Sequence, residues 1–169
     1  MRIRDWYFQG WERGPGGELR YTGEYYALPP GRPKTVTLCL SGALCVLYLL
    51  TALFPSAGGM WRIAAIPQLL ELVPLIYLVM GAVCLLRAES PMTFRTWYAS
   101  WRRVGTAALW SLVFTAAMAA AELAFLFAAE KPDVGRELLF LARILGCAAL
   151  SFGLYRFVLT HPCTQSVSE

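Results

Sequence analysis

Hydrophobic positions in this chain are gathered into four long runs, and polar residues dominate between them. The runs are Thr35 to Phe54, Ile63 to Leu86, Val104 to Ala129 and Leu138 to Leu159. Each supplies the roughly 20 residues that a helix needs to cross a hydrocarbon core about 30 Å thick. None alternates polar with apolar residues as a barrel strand does, and lipid admits only helices or closed barrels. The pattern predicts an all-α membrane protein: a four-transmembrane-helix bundle over residues 35–159, with a tail at 1–34 and another at 160–169.

Composition agrees with the pattern. Hydrophobic residues make up 57% of the 169 positions and charged residues 15%, against about 45–50% and about 25% in soluble domains. The first run follows a charged, aromatic segment rather than a short basic start with a small-residue cleavage site, so it is expected to be a retained span.

Basic residues set the expected orientation. Arg2, Arg4, Arg13, Arg20, Arg32 and Lys34 precede the first span, and Arg87, Arg95, Arg102 and Arg103 lie between the second and third. The other side carries Arg62, Lys131 and Arg136. Ten against three in short connections predicts that both chain ends are cytoplasmic. The net charge of +4 then belongs to a membrane surface, and no nucleic-acid partner is expected.

The connections divide by size. PSAGGMW (55–61) and EKPDVGRE (130–137) are short, and each is expected to close an antiparallel helical hairpin. Between the second and third spans, ESPMTFRTWYASWRR (89–103) places Ser90 and Pro91 as a helix start. Phe94, Trp97, Tyr98 and Trp101 follow at i, i+3, i+4 and i+7, with Arg95, Arg102 and Arg103 off that stripe. This predicts an amphipathic interfacial helix over about 91–103, the alternative being an extension of the third span with an aromatic belt. In the first tail, strand-favouring residues flank GPGG and predict a short β-hairpin from about Trp6 to Tyr26, its turn near Gly14 to Gly17. It is read as a lid on the helix ends or a docking site for a partner.

Candidate chemistry lies within the spans. A carboxylate at mid-span is costly and usually faces the bundle interior with a partner. At 1.5 Å per residue, Glu71 lies about 8–10 residues from the outer end of its span, Glu122 about 7 and Arg143 about 5–6, so the three are expected near a common level. Ser41, Cys45, Tyr48 and Ala52 mark one polar or small face on the first span, and Ser111, Thr115, Ala119 and Glu122 another on the third. Ala142, Gly146, Ala149 and Gly153 form a small-residue stripe beside Arg143 that lets helices approach closely. Gln68 adds an amide, and Pro74 frees the Leu70 carbonyl. The expected site is thus an intramembrane polar cluster of Glu71, Glu122, Arg143, Gln68 and Tyr48. Arg143 would clamp one glutamate in a buried salt bridge, and Glu71, the deeper acid, would hold a proton or find a cation.

Three roles fit these residues. They are a structural clamp that fixes helix order, a proton- or cation-coupled small-solute transporter, and a membrane component that binds a second copy of itself or a membrane or cytoplasmic protein. The expectation is a non-enzymatic structural or partner-binding component, with transport as the alternative. His161 is the sole histidine and the five cysteines include no C-x-x-C pair, so no catalytic residue, metal site or cofactor is expected. GPGG lacks the lysine of a phosphate loop. Four short spans with a buried glutamate resemble small multidrug exporters, but those carry the acid in their first span; vitamin K epoxide reductase-like proteins also have four spans, but with a redox cysteine pair.

Overall fold

The computed structural model describes residues 11–13, 18–129 and 133–166. Four helices dominate it: α1 (Pro33–Leu53), α2 (Arg62–Arg87), α3 (Phe94–Ala128) and α4 (Val134–Thr160), all long and apolar enough to cross a membrane. Successive helices pack side by side and α4 closes the ring against α1, the up-and-down arrangement that short connections impose. Leu44 and Tyr48 of α1, Leu75 and Leu78 of α2, Val104, Ala107 and Ala108 of α3, and Cys147 and Leu154 of α4 meet on the axis. A second layer of Met118, Ala119, Phe140 and Ile144 fills the space between α3 and α4 nearer the α3–α4 connection. Exposed leucines, valines and isoleucines cover the outside of the helices, as a lipid-facing surface requires.

Helix ends depart from expectation where polar residues proved to be helical. α4 begins at Val134 with Asp133 as its N-cap, the side chain accepting from the Arg136 amide at 3.4 Å. Glu137, expected in a loop, therefore lies in the helix and is buried. α3 begins at Phe94 with Thr93 as its cap, so Ser90 and Pro91 are not the helix start. A π turn at Tyr98–Arg102 interrupts its hydrogen-bond pattern, yet Trp97, Tyr98, Arg102 and Arg103 all keep right-handed helical dihedrals. Residues 94–103 are thus continuous with the third span. At 35 residues α3 is about 52 Å long, more than a hydrocarbon core needs.

Five short strands occupy the end of the bundle that carries the α2–α3 connection. β1 (Trp11–Arg13) and β2 (Leu19–Tyr21) pair antiparallel; Trp6 and the expected turn at 14–17 lie outside the described residues. The hairpin does not continue to Tyr26. β3 (Tyr25–Ala27) is instead the centre of a three-stranded antiparallel sheet, between β4 (Met92–Thr93) and β5 (Thr164–Ser166). Pairing with these two strands satisfies backbone groups that an isolated hairpin would leave at its edges.

The aromatic stripe packs against this sheet. Tyr26 stacks on Trp97 with centroids 4.5 Å apart, Tyr21 Oη accepts from the Phe94 amide at 3.1 Å, and Trp101 is buried. Arg95 and Arg102 are exposed, with the Arg102 guanidinium 5.2 Å from the Tyr98 ring, and Arg103 sits 4.8 Å over the Tyr77 ring. Phe94, Trp97, Tyr98 and Trp101 are therefore partly or wholly taken up by the protein's own packing.

Cys163 lies beside Trp97. Burial pushes its thiol up to about 11, and a hydrogen bond with Trp97 opposes the shift. Only the thiolate attacks a maleimide, so at pH 8 roughly one Cys163 in a thousand is reactive at any instant. Labelling of Cys163 should be slow at pH 8 and accelerate about tenfold per pH unit until pH 11 is approached. Peptide mapping after timed labelling reads this directly.

Candidate functional site: two separate buried carboxyl sites

The inward faces of the helices carry the acids. Ser111, Thr115, Ala119 and Glu122 line one buried stripe of α3, and Glu71 is fully buried on α2. On α4 the inward stripe is Glu137, Phe140, Ile144, Cys147, Ser151 and Leu154, spaced by three and four residues. Arg143 is offset from that stripe by one position, about 100° around the helix. This offset decides what it meets.

Arg143 pairs with neither glutamate. Its Nη1 donates to the carbonyls of Phe54 at 2.9 Å and Leu50 at 3.3 Å, and its guanidinium lies 5.9 Å from the Phe54 ring. Those carbonyls end α1, where the helix dipole is negative, so the arginine caps a neighbouring helix. The expected buried salt bridge is therefore absent. Among the described residues no lysine or arginine forms an ion pair with Glu71, Glu122 or Glu137, and the pair Arg136–Asp133 is exposed at 3.4 Å. Arg143→Gln is expected to cost about 1–2 kcal/mol for the lost cap. Combined with Glu71→Gln the costs should add within about 0.5 kcal/mol, as they do for groups with no shared partner. Thermal unfolding of the single and double variants in mild detergent checks this; a coupling well above 1 kcal/mol would restore the clamp.

The two expected glutamates also belong to different sites. Ser111 Oγ donates to Glu71 Oε1 and lies 3.0 Å from Ser151 Oγ, so the inner site joins α2, α3 and α4. Glu71 Oε2 has no hydrogen-bond partner. Tyr48 donates to the backbone carbonyl of Gln68, which contributes that group rather than its side-chain amide. Glu122 is eleven residues beyond Ser111 on the same helix, about 16 Å along its axis. The apolar layer of Met118, Ala119 and Ile144 lies between.

At the outer site Glu122 meets Glu137, a residue outside the four apolar runs. Its carboxyl, fully buried, faces the carboxyl of Glu137 and the hydroxyl of Ser56. Glu137 accepts from the Ala57 amide at 3.1 Å and from the Gly58 amide at 3.3 Å. It also stands in the first turn of α4, where the helix dipole favours an anion. No backbone amide of the described residues donates to either Glu122 oxygen.

The connection 55–61 makes this possible by folding into the bundle. Ser56, Gly58 and Gly59 are buried, and Ser56 Oγ accepts from the Gly59 amide at 3.0 Å. A Cβ on Gly58 would lie 2.5 Å from Glu122 Oε2, and one on Gly59 2.5 Å from Phe140 Cζ. The adjacent glycines are the sequence signal for this close approach. A connector on the surface would not require them.

No protein-family model matches this chain, and neither a curated protein nor a solved structure matches it. The fold itself defines a class: four apolar helices of spanning length make this a multi-pass membrane protein.

Proposed function

We propose that this protein is a non-enzymatic membrane component, inserted with both chain ends in the cytoplasm, that binds and releases a proton at the Glu122–Glu137 pair. One observation carries the reading: two buried carboxyl groups face each other with no basic side chain from the described residues beside them. Two carboxylates in such contact cannot both be ionised, so charge balance needs a proton or a small cation between them. The donors are unequal. Glu137 has two backbone amides and Glu122 has none, so a shared proton belongs on Glu122.

This ion-linked reading replaces the structural clamp because the cation of the clamp caps α1 instead. The orientation rests on the basic residues of the tail and of the α2–α3 connection. The aromatic stripe, continuous with α3 and covered by Tyr26, is assigned to the headgroup level, where such rings suit an interface.

Unfolding offers a test. A glutamate released into water ionises at neutral pH, so unfolding at pH 7 frees any proton that the pair holds. Wild-type protein unfolded by strong detergent in weak buffer should release about one proton per chain more than Glu122→Gln does. Equal release from the two proteins would remove the basis of the reading.

A further inference from the structure

The outer carboxyl pair borders a hollow in the protein surface. Between the end of α1 and the start of α4 lies a cavity of about 390 Å³, lined by Leu53, Pro55, Ser56, Leu139 and the two arginines Arg136 and Arg143. A hollow of that size, with Ser56 and two arginines among its apolar lining, has room for several waters. Ser56 is the contact between the two compartments. It lines the hollow, is 6% exposed, and is followed by Ala57 and Gly58, whose amides bond Glu137 and the second of which lies against Glu122.

We propose that the hollow is the aqueous access route to the carboxyl pair and that Ser56 relays protons across its wall. The inference rests on the proton-binding reading and adds the route and the residue. Ser56 Oγ already accepts from the Gly59 amide at 3.0 Å, which fixes its position and leaves its own proton free to donate toward the pair. In loading, a hydronium ion in the hollow gives a proton to Ser56 Oγ, and the hydroxyl proton already there passes to the Glu122 carboxylate. Water and a neutral hydroxyl remain. In unloading, the carboxyl proton passes to Ser56 Oγ and the hydroxyl proton leaves to a water. No other atom changes its bonding.

The charges around the route suit it. Arg136 is held by Asp133 at the surface, Arg143 is held on the α1 carbonyls, and Arg62 at the start of α2 is exposed. Glu130 and Lys131 lie outside the described residues. Glu71 is separated from the pair by the apolar layer, so it does not compete for the same proton on this path.

Infrared spectroscopy on transfer to D2O reads the route. The carboxylic-acid C=O band that Glu122→Gln abolishes is followed as its proton exchanges for deuterium, in a Glu71→Gln background that removes the other buried acid. Ser56→Ala is expected to slow that exchange, measured as a rate against the variant's own band, at least tenfold, and Ser56→Thr, which restores a hydroxyl, should return it to the wild-type rate. Leu139→Trp, which narrows the hollow without touching the pair, should slow it as well and covers the case in which Ser56→Ala does not fold. Wild-type exchange rates in Ser56→Ala or, failing that variant, in Leu139→Trp would overturn the relay while leaving the proton-binding pair intact. A spectrum with no band sensitive to Glu122→Gln would overturn the reading on which the relay rests.

Discussion

Glu137→Leu should lose about 3 kcal/mol of stability, whereas Glu137→Gln should lose less than about 1 kcal/mol. The carboxyl of Glu137 accepts from the amides of Ala57 and Gly58. Leucine fills a similar volume but offers no acceptor, so the buried Gly58 amide and the part-buried Ala57 amide lose theirs, at about 1–3 kcal/mol for a fully buried group. Glutamine keeps one carbonyl oxygen for them. Leucine also leaves Glu122 without the carboxyl that shares its proton, although a neutral acid is cheaper to bury than an ion. Thermal or detergent unfolding of the two variants beside wild type gives the comparison, and equal losses would show that the loop amides do not depend on this acceptor.

Gly58→Ala is the second large effect, with an expected loss of about 2–3 kcal/mol. The added Cβ would lie 2.5 Å from Glu122 Oε2 and 2.7 Å from Phe125 Cδ1. Glu122 and Phe125 both stand on α3, so their side chains or the loop must move, and moving the loop lengthens the hydrogen bonds to Glu137. Gly42→Ala is the control. Its Cβ meets nothing within 4 Å on an exposed face of α1, and it should gain about 0.5–1 kcal/mol from helix propensity. Opposite signs at these two positions in the same unfolding assay would establish that Gly58 is required by close approach rather than by chain flexibility.

Glu137 and Gly58 both hold a loop that the hydrophobic pattern marks as a simple connector. That pattern carries the spans well, because exclusion of polar backbone from lipid forces long apolar runs into helices. The runs at 35–54 and 63–86 correspond to Pro33–Leu53 and Arg62–Arg87. It is less informative where a helix begins with polar residues. EKPDVGRE reads as loop because five of its eight residues are charged, yet Asp133 caps a helix there and carries Glu137 inward.

Depth along a helix was legible only to within a turn or two, and direction around it needed the neighbours. Counting residues from the outer ends set Glu71, Glu122 and Arg143 near one level. The inward fold of loop 55–61 displaces that count, because α2 starts deeper than α3 ends: Trp61, just before α2, packs against Phe125 near the end of α3. Depth and charge alone point to Arg143 as the partner of the glutamates. The inward period of α4 passes through Phe140, Ile144 and Cys147, one position away, and an apolar run holds too few polar positions to reveal that phase. The α3 stripe from Ser111 to Glu122 was visible because its small and hydroxyl residues repeat at helical spacing. Pairing of β3 with segments 66 and 139 residues away along the chain left no local signal.

A carboxyl pair without a basic partner should hold a proton inside the bundle. The most direct measurement is the infrared carboxylic-acid C=O absorption of the folded protein in lipid at neutral pH, recorded for wild type, Glu122→Gln and Glu137→Gln. Wild type is expected to show a protonated carboxyl whose band disappears in Glu122→Gln and shifts in Glu137→Gln, as the partner of the shared proton changes. A wild-type spectrum that contains only ionised carboxylates, unaltered in this region by either substitution, would contradict it.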